Sequence, residues 1–177
     1  VQKAAVQLLM KVSGQAASCA IVEVSKRLEH DDAAVRDAAL QALVAVAAED
    51  TARAAAELSA RLAHGSADVR QAAVQGLEKV APKGHAATVK AAITHMEHED
   101  GDVRSAASRA LLAVAKRGDQ GAIPQLLALL ERGRADVRLL AMAALAELAT
   151  ESDEAAFTGV SRLLSHPSTA VRLSAQK

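Results

Sequence analysis

The chain has 177 residues, with 21 basic and 21 acidic side chains and a formal charge of zero, so strong attraction to nucleic-acid phosphates is not expected. Hydrophobic residues reach 51%, yet aromatics are 1%, Phe157 being the single ring, which removes stacking platforms and aromatic-lined ligand pockets. No apolar run approaches the ~20 residues of a membrane span, and a single cysteine, Cys19, forms neither an internal disulfide nor a cysteine zinc cluster, so an intracellular setting is expected.

The dipeptide Val-Arg returns at Val35-Arg36, Val69-Arg70, Val103-Arg104, Val137-Arg138 and Val171-Arg172, a period of 34 without a slip. One step back, Val1-Gln2 opens a copy that has lost its Arg and runs through Lys3, Ala5, Val6, Leu9 and Val12 to a break at Gly14. Copies therefore start at 1, 35, 69, 103, 137 and 171. Within each, Ala39, Ala73, Ala107 and Ala141 precede Leu43, Leu77, Leu111 and Leu145, then Val46, Val80, Val114 and Leu148. The spacing from the Val is 4, 4 and 3, the stripe of an amphipathic helix. Asp32, Ser66, Asp100 and Ser168 stand at its start as caps, with Arg134 the misfit, and Asp68, Asp102 and Asp136 complement the helix dipole.

Ahead of each such helix lies a shorter apolar pattern of about three turns. It reads Ile21-Val24-Leu28, Leu58-Leu62, Val89-Ile93-Met96, Ile123-Leu126-Leu130 and Phe157-Val160-Leu164. Breakers separate the copies at Pro82-Lys83-Gly84, Gly118-Asp119-Gln120-Gly121 and Glu151-Ser152-Asp153. Short links of this kind predict antiparallel helix pairs. The expected fold is all-α, an α-solenoid of stacked two-helix repeats forming one array over residues 1–177. An array that opens on a second helix at Val1 and stops early in another at Lys177 leaves Val6, Leu9 and Val12 without a first-helix partner, so a piece of a longer solenoid is expected.

A 34-residue period also suits tetratricopeptide repeats, but that pattern needs Trp, Tyr and Phe positions this chain lacks. With Val-Arg, then Ala, then Leu recurring in the second helix along the whole chain, the sequence resembles the HEAT-repeat family, particularly the short repeats of its phycobilisome-lyase-like group. The resemblance implies a non-catalytic scaffold for protein–protein interaction, or a structural subunit of a larger assembly, with partners on the concave line of second helices and no cofactor. It implies as an alternative a lyase-type accessory protein cradling a chromophore-bearing client. The HEAT pattern carries an Asp six residues before the Arg; here that column reads His30, His64, His98, Arg132 and His166, so Asp68, Asp102 and Asp136 are expected to pair with the stacked arginines instead.

Candidate side chains have competing readings. Arg36, Arg70, Arg104, Arg138 and Arg172 form either a structural ladder or a row of guanidinium groups for an acidic partner; zero net charge and the neighbouring Asp residues favour the ladder. The histidine column suggests metal, but its members belong to different repeats ~10 Å apart, whereas zinc gathers nitrogens at ~2 Å around one point. Histidines at a first-helix end, bonding its last carbonyls, are the expectation, with a pH-responsive edge as the other reading. His95-Met96-Glu97-His98-Glu99-Asp100 resembles the His-Glu pairs of the deoxyhypusine hydroxylase family, a HEAT-repeat iron enzyme. Here the pair occurs once and in a turn, so no iron site and no enzyme are expected. No phosphate-binding Gly-rich loop or nucleophile elbow is present either.

Cys19, in a column with Arg53, Ala87, Gly121 and Ala155, is expected to pack where helices approach closely. The third position of the second helices reads Lys3, Asp37, Gln71, Ser105, Leu139 and Leu173, turning from charged to apolar. With Leu112, Ala143 and Ala146 it marks an expected partner-binding strip of Leu112, Leu139, Ala143, Ala146 and Leu173, unless curvature buries Leu139 and Leu173.

Overall fold

In the computed structural model, which describes residues 15–176, every regular element is helical. The copy beginning at Val1, with Lys3, Ala5, Val6, Leu9, Val12 and Gly14, and the last residue, Lys177, lie outside the described residues. First helices are α1 (Gln15–Lys26), α3 (Thr51–Ala60), α5 (Ala86–His95), α7 (Ala122–Arg132) and α9 (Glu154–Leu164). Second helices are α2 (Ala33–Val46), α4 (Ala67–Val80), α6 (Gly101–Val114), α8 (Ala135–Leu148) and α10 (Thr169–Ala175).

The chain divides into two units, Val1–Pro82 and Lys83–Lys177. In the first, α1 pairs with α2 and α3 with α4, while α1 lies on α3 and α2 on α4. In the second, the hairpins α5–α6, α7–α8 and α9–α10 stack in the same way, first helix on first helix and second on second. Each unit is thus built as an α-solenoid. Its core is the expected stripe: Ala39, Leu43 and Val46 in α2, Ala73 and Leu77 in α4, Ala107, Leu111 and Val114 in α6, and Ala141, Leu145 and Leu148 in α8 are all buried. A small Ala one turn ahead of the Leu lets the helices approach without aromatic filler.

The cap residues divide by chemistry. Asp32 accepts from the Ala34 amide and Asp100 from the Asp102 amide, each at 2.8 Å. Ser66 and Ser168 occupy the same position but accept no capping bond with their side chains, a correction to the sequence expectation. At Arg134 the side chain caps nothing, and Asp136 accepts from the Val137 amide instead. Gly84 and Gly118 adopt φ of 74° and 68°, a left-handed backbone that Gly tolerates without the Cβ penalty. Their amides then donate at 2.7 Å to the Val114 and Leu148 carbonyls, tying each inter-repeat loop to the end of the next second helix.

One first-helix stripe departs from the pattern. Ile123, Leu126 and Leu130 of α7 are buried, but in α9 Phe157 is 77% exposed and Leu164 41%, and Ala156 with Leu163 enter the core in their place. Burial in this stripe comes from the hairpin stacked in front: α7 lies against both α9 and α10. Cys19 is also exposed rather than packed, because it lies on the solvent side of α1 while Ala17 and Ile21 turn inward.

Candidate interaction surface

The arginine column binds the chain to itself. From the second turn of each second helix, the guanidinium reaches back over the preceding turn. Arg36 donates through Nη1 to the His30 and Asp31 carbonyls at 2.9 and 2.7 Å. Arg70 does so to His64 and Gly65, Arg104 to His98 and Glu99, Arg138 to Gly133, and Arg172 to His166 and Pro167. The second nitrogen reaches forward into the next hairpin, where Arg36 Nη2 meets Asp68 at 2.6 Å and Arg104 Nη2 meets Asp136. Arg138 has Ala170 at the matching position and donates from Nε to Ser174 instead. A planar fork suits this geometry, since one end closes a turn while the other crosses to a carboxylate. At Asp136, desolvation works to raise the carboxyl, yet hydrogen bonds from Arg134 and the Val137 amide and the charges of Arg104 and Arg134 hold it below the ordinary carboxylate range.

The histidines do not bond helix-end carbonyls, which corrects the sequence expectation. Each ring Nδ1 accepts the amide of the residue two further on: Asp32 to His30 and Asp100 to His98 at 3.0 Å, Ser66 to His64 and Ser168 to His166 at 3.1 Å. His30 and His64 sit at φ −69°, ψ 144°, extended backbone that folds the ring over the turn. In the turns at His30, His64, His98 and His166 the ring takes an amide and the guanidinium two carbonyls. Where Arg132 replaces His, α7 runs on to residue 132 and the turn shortens to Gly133 and Arg134. Replacing His98 with Ala is expected to lower unfolding stability by about 1 kcal/mol, and His98→Asn, whose side-chain oxygen also accepts, by less than half of that. Denaturant midpoints of the two variants check the order.

A polar cluster that the apolar pattern did not reveal lies on first helices of the first unit. Arg61 is buried, and its guanidinium meets Glu29 at 3.0 Å and Glu57 at 3.1 Å, while Ser25 donates to Glu57 at 3.3 Å. The available sequence signal was the i, i+4 pair Glu57 and Arg61. Among the described residues no group of three His, Cys, Asp or Glu side chains could hold a metal ion, and no helix is long and apolar enough to cross a membrane.

The solvent-facing side of the second helices changes character along the chain. In the first unit it carries exposed Asp37 and Gln41 with half-buried Val44 on α2, and exposed Gln71, Gln75 and Glu78 on α4. In the second unit the same helical positions carry Ser105, Arg109 and Leu112 on α6, but Leu139, Ala143 and Ala146 on α8 and Leu173 on α10, so the apolar character builds toward α8 and α10. Leu112 is 38% exposed, Leu139 49% and Leu173 56%, so neighbouring helices do not bury them. Ala143 and Ala146 are exposed as well. On the first-helix side, a groove of about 530 Å³ runs between α7 and α9, floored by Leu127, Ala128 and Gly159 and edged by the Glu131 and Arg162 ion pair.

The family model for HEAT repeats matches residues 55–146. Among solved structures, the chain is similar to a designed armadillo repeat protein in complex with the peptide (KR)4, at 17% identity and a TM-score of 0.43, over 97% of this chain and 87% of that one. It is similar also to a second designed armadillo repeat protein, at 19% identity and 0.41, over 99% and 90% of the two chains. An engineered protein from the Northeast Structural Genomics Consortium aligns at 25% identity and 0.39, over 99% and 88%. No curated protein matches the sequence.

Proposed function

The chain belongs to the family of HEAT repeats, and from that premise we propose that it is a non-catalytic protein-interaction scaffold whose partner docks on the second helices of the Lys83–Lys177 unit. One observation carries the reading: Leu112, Leu139, Ala143, Ala146 and Leu173 occupy the solvent-facing positions of adjacent second helices and are exposed there, whereas in the other unit the corresponding exposed positions are polar and the one apolar member, Val44, is half-buried. Contiguous exposed apolar surface on a rigid support marks a recognition site. The arginines and histidines that close the turns hold this surface in place and take no part in contacting the partner. The partner is a protein presenting an apolar face, and affinity comes from covering these leucines.

Leu139→Glu tests the assignment. A carboxylate at the centre of the strip must be desolvated on docking, so partner capture by the intact protein is expected to fall about tenfold or more, with the unfolding midpoint unchanged. Undiminished capture by a folded Leu139→Glu protein, read by quantitative mass spectrometry against the parent, would remove the strip from the function.

A further inference from the structure

The apolar strip of the Lys83–Lys177 unit is centred on α8, and the charges at the two ends of α8 run against the helix dipole. At the N-terminal end, where α2 and α6 have the capping carboxylates Asp32 and Asp100, stands the exposed Arg134, in contact with Asp136 at 3.4 Å. At the C-terminal end, where α6 is followed by Lys116 and Arg117, stand Glu147 and Glu151, both exposed and without an ion pair among the described residues. A cation at a helix N-terminus and carboxylates at its C-terminus are each unfavourable for the helix by itself. An identical helix laid antiparallel against it offsets both, because each end then faces the opposite charge.

The apolar positions fit the same arrangement. Two copies of α8 crossing a twofold axis in the register that sets Leu139 against Ala146 of the second copy also set Arg134 against its Glu151. The axis carries the α6 side of α8 onto the α10 side. Leu112 of α6, one period before Ala146, then meets Leu173 of α10, one period after Leu139. A large side chain set on a small one lets two helices approach closely. Leu139 is 49% exposed although α6 and α10 both pack on α8, so its exposure does not depend on a further neighbour.

We propose that the strip is the face of a symmetric dimer in which α8 lies antiparallel on α8 of a second copy, with Arg134 of each copy bonded to Glu151 of the other. The proposal rests on the strip being the recognition surface and names its occupant. Zero net charge leaves no long-range repulsion between copies, and symmetry supplies an apolar face with opposite charges already in register.

Sedimentation of the full chain in about 0.15 M salt, where distant charges are screened, tests the proposal. The parent chain is expected to form dimers, and Leu139→Glu to weaken them about tenfold or more with the unfolding midpoint unchanged. Arg134→Glu sets carboxylates against each other at both symmetric contacts, and Glu151→Arg does the same with guanidinium groups; each is expected to weaken the dimer roughly tenfold. Mixed in equal amounts, the two variants are expected to recover the parent's affinity as a heterodimer, because both contacts then join a carboxylate to a guanidinium. A mixture no more dimeric than its components would overturn the inference. So would a chain that stays monomeric up to roughly 1 mM; loss of capture of a different protein on Leu139→Glu would then keep the strip as the interaction surface with another occupant. A dimer that Leu139→Glu leaves intact would overturn the inference too, and undiminished capture would in that case remove the strip itself from the function.

Discussion

Arg104→Ala is expected to lower unfolding stability by about 2 to 3 kcal/mol, a large effect for a side chain outside the apolar stripe. The guanidinium is buried at the base of α6 and does three things at once. It takes the His98 and Glu99 carbonyls, closing the turn before the helix, and it reaches Asp136 in the next hairpin. Removing it leaves the two carbonyls without their donor and Asp136 with only Arg134 and the Val137 amide. Arg104→Lys retains the charge but not the fork, so one contact survives at most, and roughly half of the loss is expected. Asp136→Ala removes the inter-hairpin bond together with the local bonds from Arg134 and the Val137 amide, and because Asp136 is partly solvent-exposed its cost is about 1 kcal/mol. The double variant Arg104→Ala, Asp136→Ala should lose less than the sum of the two. Urea denaturation of the four proteins measures this coupling, and simple additivity would show that the bond does not join the hairpins energetically.

Leu111→Ala is expected to cost about 3 to 4 kcal/mol, the largest loss of any single truncation considered. Leu111 is wholly buried in α6 among a core whose other members are mostly Ala and Leu. Few large side chains are available to relax into the space it would vacate, so the transfer loss and the cavity add. Ala107→Gly, one turn away on the same stripe, should cost about 1 kcal/mol from helix propensity plus the lost methyl. Chemical denaturation separates the two, and a Leu111→Ala loss below about 1.5 kcal/mol would mean the stripe is not the core.

The helical repeat was legible because its signals are local. A stripe at 3.6-residue spacing, breakers every 34 residues and an Asp a constant distance from the preceding Arg all survive in one dimension. Even the pairing of Arg36 with Asp68 and Arg104 with Asp136 could be expected, since stacking identical hairpins brings residues about one period apart together. The histidine column was visible as a pattern but not as a contact. Whether an imidazole faces a carbonyl or an amide depends on the backbone torsion of the turn, and the torsions at His30 and His64 place Nδ1 over the amide two residues on. The Arg61 cluster was hidden for a related reason: its partners come from two successive first helices, and only one of them lies within a helical turn in sequence.

Residue order alone set the helix-pair architecture, the period and the identity of the inward stripe, because an amphipathic helix carries its own inside and outside at short range. Tertiary structure decided which of those apolar residues actually leave water. Ile123 and Phe157 hold the same place in the repeat, yet one is buried and the other open, as are Leu130 and Leu164. Burial is a property of the neighbour as much as of the residue: a helix can present a face, but only a second element stacked against it removes that face from solvent.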